Sequence, residues 1–133
     1  MFLMTRLTIR IDLSEDSAFG PGKARLLELI DDAGSIRRAA AAMGMSYRRA
    51  WLLLQEIEMV IGGPPLETRT GGAKGGGASL TKRGRAVLEH YRAIESRAAR
   101  AVASELQALA RLAACASPRT GRAFPPQSKR RKS

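Results

Sequence analysis

The sequence predicts a mainly helical fold with a small β component, on three observations. Gly34 to Gly62, GSIRRAAAAMGMSYRRAWLLLQEIEMVIG, reads as two helices around a tight turn at Met43-Gly44-Met45. Apolar residues recur at helical spacing from Val87 to Ala113. Only two stretches suit strands, Leu7 to Leu13 and Leu66 to Leu80.

Leu7, Ile9, Ile11 and Leu13 alternate with polar residues, predicting a half-buried strand that needs a partner near Leu66 to Leu80. Ser14 to Gly20 reads as a loop. Pro21 suits the first turn of a helix and Gly34 its end, with Ala24, Leu26, Leu27, Ile30 and Ala33 facing inward. Ser35 caps a short helix, Ile36 to Met43, whose alanines allow close helix approach. Ser46 caps the next, which runs to about Ile61 and stops at Gly62-Gly63-Pro64-Pro65; its inward stripe is Tyr47, Ala50, Trp51, Leu54, Ile57 and Ile61. Core packing is the expected role of Trp51. Leu66 to Leu80 reads as a hairpin with a glycine-rich tip, Gly71 to Gly77.

Thr81 caps a final helix extending to about Ala114. Val87, Tyr91, Ile94, Ala98, Val102, Leu106, Leu109 and Ala113 step along it at an average of about 3.7 residues. At 1.5 Å per residue it would reach about 50 Å, more than so small a domain can cover. Its far end therefore implies a homodimer, with Val87, Tyr91, Ile94, Ala98, Val102, Leu106 and Leu109 as dimerisation residues. The organisation expected is a winged helix-turn-helix over 1–80 (helix-turn-helix 35–61, wing 66–80), a long dimerisation helix over 81–116 and a disordered basic tail over 117–133.

The net charge of +11 points to a polyanionic partner. Six of the basic residues, Arg119, Arg122, Lys129, Arg130, Arg131 and Lys132, lie in the tail with no acidic residue among them, so the rest of the chain carries only +5. Where those charges sit then matters more than their number. Three capped helix starts bear adjacent cations: Ser35 with Arg37 and Arg38, Ser46 with Arg48 and Arg49, Thr81 with Lys82 and Arg83. Cations oppose the helix dipole there by about 0.3–1 kcal/mol each. Free backbone N–H groups with paired cations suit phosphate instead. Arg48 or Arg49 at the start of the second helix of the pair is placed to reach guanine in a major groove, with Ser46 and Tyr47 on phosphate or bases. Arg69 and Lys74 would hold phosphate from the wing.

Nothing resembles a catalytic or metal-binding constellation. His90 is the only histidine, and Cys115, the only cysteine, has no CxxC partner and fits a reducing compartment. Asp31-Asp32 and Glu56 with Glu58 read as solvated charges. The glycine tip lacks the order of a nucleotide loop. No apolar run approaches the roughly 18 residues of a membrane span, and the N-terminus is not signal-like, so a cytoplasmic protein without cofactor or membrane partner is expected.

The run GPGKARLLELIDDAGSIRRAAAAMGMSYRRAWLLLQEIE, followed by PPLETRTGGAKGGGASLTKRGRAVLEHYRAIE, resembles the N-terminal DNA-binding domain of the ModE molybdate-responsive regulators, and more distantly the LysR-type winged helix-turn-helix. The resemblance covers about residues 5 to 100. It implies a homodimeric, sequence-specific transcriptional regulator with its recognition helix at Ser46 to Ile61 and its wing tip at Gly71 to Gly77. Molybdate-sensing members of that family carry C-terminal ligand-binding domains. No part of this sequence matches them, so molybdate sensing is not carried over, and an unidentified effector or protein partner is left open. The rival readings are a non-specific architectural DNA-binding protein and a helical protein-interaction module. An enzyme is the least supported class.

Overall fold

The elements order around α1 (Pro21–Ala33), because every other part of the core packs against it or its neighbours. The computed structural model describes residues 5–69 and 77–115. Thr70 to Gly76, with Lys74, the first six residues of the expected wing tip, and the expected basic tail from Ser117 onward lie outside them. The remaining elements are β1 (Ile11–Ser14), β2 (Ser17–Phe19), α2 (Ile36–Ala42), α3 (Tyr47–Ile61), β3 (Leu66–Arg69), β4 (Gly77–Leu80), α4 (Lys82–Ala101) and α5 (Ala103–Cys115).

The first strand differs from the expectation in extent and in partner. Leu7 to Arg10 is not strand, and Leu7 and Leu13 are exposed. β1 pairs antiparallel with β2 inside the segment expected to be a loop, with Ile11 opposite Phe19 and Asp12 opposite Ala18. A hairpin this local closes at less entropic cost than pairing across more than fifty residues. β3 meanwhile takes β4 as its partner, from Leu66 opposite Leu80 to Arg69 opposite Gly77. Alternation alone hid Phe19, which is fully buried and meets Tyr91 edge-on at 5.1 Å between ring centroids.

Pro21 opens α1 and Gly34 closes it in the left-handed region, φ 68°, where an L side chain is strained. Ala24, Leu26, Leu27 and Ile30 are buried, while Ala33 is exposed. Leu27 and Ile30, at full burial, contribute about 1.5–3 kcal/mol each. The Gly34 carbonyl accepts from the Ala78 amide at 2.9 Å, tying the wing strand β4 to the end of α1.

α2 and α3 form the expected helix pair. Ile36, Ala39 and Ala40 of α2 and Ala50, Leu54 and Ile57 of α3 are buried together, the alanines permitting the close crossing. Gly44 turns the chain between them at φ 68°, and the Met45 amide donates to the Ala40 carbonyl at 3.0 Å.

The final helix is two helices. Val102 leaves helical geometry (φ −110°, ψ 15°) and separates α4 from α5. Hydrogen bonds from Val102 to Ala98 and from Leu106 to Val102 carry the chain across the break. Nothing in the apolar stripe marks this position, since the spacing of its residues continues through it. At its start α4 packs hard on the wing root: Gly84 is buried, and a Cβ there would lie 2.2 Å from the Pro65 carbonyl oxygen.

Candidate nucleic-acid interface

All three capped starts form. Ser35 Oγ accepts from the Arg38 amide at 3.1 Å, Ser46 Oγ from the Arg49 amide at 3.0 Å, and Thr81 Oγ1 from the Gly84 amide at 3.0 Å. None of α2, α3 and α4 has an acidic residue in its first turn. Arg37, Arg38, Arg48, Arg49, Arg69, Lys82 and Arg83 are all exposed.

The third start is nevertheless unlike the other two. Arg83 donates to the Ile61 carbonyl at 2.8 Å, satisfying an acceptor at the C-terminal end of α3. Thr81 donates to the Pro64 carbonyl at 2.7 Å while accepting from Gly84. These two expected DNA contacts are engaged in joining α4 to the end of α3 and the wing root, which leaves Lys82 as the uncommitted cation there among the described residues.

The solvent face of α3 can be read from its buried one. At roughly 100° per residue, Ala50, Leu54 and Ile57 face the core and Arg48, Leu52 and Gln55 face away. Arg49 sits on one flank, lining a cleft with Arg10, Lys23 and Met45. Tyr47 and Trp51 occupy the other flank. They are 40% and 37% exposed, so neither is the core residue the stripe predicted. The buried arc is narrower than the apolar stripe: α2, β2 and α1 pack on α3, and only Ala50, Leu54 and Ile57 of it are buried. The two rings pack edge to face at 6.1 Å, and the Arg37 guanidinium lies 4.6 Å above the Tyr47 ring.

Among the described residues, five of the twelve acidic residues are held in ion pairs, Asp12 with Arg10 among them. Asp31 takes a two-pronged hydrogen bond from Arg85 at 3.2 Å, and Glu28 and Glu95 share Arg92. Both arginines are held further toward the charged form by these carboxylates, the hydrogen bonds to Asp31 and to Glu28 being the largest causes. Glu56 pairs with Lys23 at 3.1 Å, and Lys23 also donates to the Ala18 carbonyl at 2.5 Å. Asp31 and Glu56 are thus paired, contrary to their reading as solvated charges. The pairs between α1 and α4 join residues 54 and 64 positions apart, a separation at which sequence spacing carries no signal.

Of the expected dimerisation residues, Tyr91 belongs to the chain's own core. It is 1% exposed and donates to the Ile9 carbonyl at 2.6 Å. Val87 packs partly against the same core, and Leu88, not anticipated, is buried in it. Ile94 and Leu109 are exposed, as is Leu112, while Ala98, Val102 and Leu106 are half-buried.

No protein-family model matches the chain. A DNA-binding domain solved in complex with DNA, CbnR, superposes with a TM-score of 0.51 at 25% identity, covering 66% of this chain and 95% of that one. The Azotobacter vinelandii molybdenum transport protein ModE is 38% identical over 93 residues, 68% of this chain and 34% of the relative. This chain is related to the N-terminal part of the ModE proteins. The Escherichia coli K12 relative, named a DNA-binding transcriptional dual regulator ModE, is 30% identical over 89 residues, 67% of this chain. The chain spans about one third of the length of these ModE relatives. The fold is accordingly a winged helix-turn-helix of the ModE and LysR type. No helix among the described residues is long and apolar enough to cross a membrane.

Proposed function

We propose that the protein is a sequence-specific, double-stranded-DNA-binding transcriptional regulator that acts as a homodimer, with α3 as its reading helix. The observation that carries this reading is the outward face of α3, where Arg48 and Gln55 stand free of the core on a rigid helix whose start is capped and devoid of acidic residues. Arginine suits guanine and glutamine suits adenine in the major groove. Arg37, Arg38, Arg69 and Lys82 then serve as phosphate contacts that set register without carrying sequence information. Lys74 is assigned to the same backbone set by its place in the wing.

Dimerisation is supported by the exposed apolar residues Ile94, Leu109 and Leu112 along α4 and α5. A two-fold dimer would set two α3 helices into successive major grooves about 34 Å apart. Control of molybdenum-related genes rests on the named relatives, and molybdate sensing is not assigned to residues 5–115. Genome-wide mapping of bound sites tests the reading. A shared, two-fold related sequence motif near promoters supports it; binding spread evenly over the genome favours an architectural role instead.

A further inference from the structure

Trp51 is the only tryptophan of the chain, and it is 37% exposed on the helix proposed to enter DNA, where it lines a cleft with Glu58, Pro64, Pro65 and Leu66. On α3 it lies about 60° from Arg48 and about 160° from Arg49, on opposite sides of the outward face. A helix seated in a major groove has one phosphate strand along each flank. Arg49 lines one flank. The other is made of Tyr47 and Trp51, packed edge to face, with Arg37 of α2 held over the tyrosine ring. That flank thus combines a cation, two apolar ring surfaces and two donors, the Tyr47 hydroxyl and the Trp51 indole N–H. Neither donor has a hydrogen-bond partner among the described residues.

We propose that Tyr47 and Trp51 form an aromatic ledge that seats the sugar-phosphate backbone of one DNA strand, the rings against deoxyribose and the indole N–H on a phosphate oxygen. Arg37, oriented by its stacking on Tyr47, supplies charge to the same strand. The ledge contributes affinity, not discrimination, because a backbone contact carries no sequence information. It rests on the proposed DNA-binding function and assigns Trp51 a role that the apolar stripe of the helix conceals.

The test uses the full chain and two labelled duplexes, one bearing a sequence selected by the protein and one scrambled. Emission from Trp51 is followed as each is added, and affinity is read separately from anisotropy of the label. Emission should change on saturation with both duplexes. Trp51→Phe, which keeps an apolar ring and removes the N–H, should weaken binding to both by about fivefold, the worth of one hydrogen bond, and leave their affinity ratio unchanged. Circular dichroism at matched urea concentrations verifies the fold of the variant, and the wild-type emission needs no variant. A loss confined to the selected duplex overturns the inference in favour of base contact. Binding with unchanged emission and unchanged Trp51→Phe affinity overturns it while the DNA-binding reading stands. Absence of binding by the wild-type chain overturns both.

Discussion

Replacing Gly84 by alanine should destabilise this fold, although the same change in an open helix stabilises. Gly84 lies inside α4, where alanine is favoured by about 1 kcal/mol on helix propensity alone. Its added Cβ, however, would sit 2.2 Å from the Pro65 carbonyl oxygen and about 3.0 Å from the Pro65 carbonyl carbon. The oxygen is about 1 Å short of ordinary contact, and the obstacle is backbone, so the start of α4 must withdraw. Overpacking of this kind costs about 1–3 kcal/mol. Withdrawal also stretches three hydrogen bonds that converge there: Thr81 amide to Pro65 at 3.0 Å, Thr81 hydroxyl to Pro64 at 2.7 Å and Arg83 to Ile61 at 2.8 Å. Each contributes about 1 kcal/mol. The net expectation is a loss of about 2–3 kcal/mol after the propensity gain. Gly22→Ala in α1 is the matched control, because nothing lies within 4 Å of its added Cβ. It should stabilise by up to about 1 kcal/mol. Urea unfolding followed by circular dichroism reads both as shifts of midpoint at constant slope. A Gly84→Ala variant as stable as the parent, or more so, would refute the close approach of α4 to the wing root.

Tyr91→Phe should cost about 1 kcal/mol through loss of its hydrogen bond to Ile9. The phenol is held above its ordinary value, chiefly by burial and then by Glu95. Its contribution is therefore intact below the unfolded value near 10 and is lost as pH rises through the folded one; alkaline titration of stability should show a decline above about pH 10 that Tyr91→Phe lessens. Ser46→Ala removes the acceptor for the Arg49 amide and should cost about 1 kcal/mol in urea unfolding while weakening DNA binding through a frayed start of α3. Deleting residues 118–133 removes six basic residues, and should weaken binding to all duplexes alike and flatten its dependence on salt in anisotropy titrations.

The parts that were legible in the sequence are those set by local chemistry. Ser35, Ser46 and Thr81 announce helix starts because their hydroxyls satisfy free amides within three residues. Gly34, Gly44 and Gly62 mark the stops and the turn because each adopts a positive φ. The misread parts depend on partners far along the chain. Leu7 to Leu13 alternates as a strand does, yet which residues pair was settled by competition between a local hairpin and a distant one. Tyr91 and Trp51 both sit on helical apolar stripes. One is buried because Phe19 and the Ile9 carbonyl meet it, and the other is 37% exposed because the wing root beside it, Pro64 to Leu66, leaves a cleft open along that side of α3. Periodicity records which face is apolar, not how much of it a neighbour covers. Likewise Arg83 and Thr81 share the sequence signature of Arg37 and Ser35, and only the fold brings the carbonyls of Ile61 and Pro64 within their reach.

The central claim is that the outward face of α3 reads bases. The most direct measurement is selection from a random duplex pool with the full chain, followed by affinities of the parent and Arg48→Ala on the selected and scrambled sequences at one stated salt concentration. The parent should prefer the selected duplex by at least about 10³-fold, and Arg48→Ala should narrow that ratio by about tenfold or more, with little change on scrambled DNA. No enriched sequence, or equal losses by Arg48→Ala on both duplexes, would contradict it.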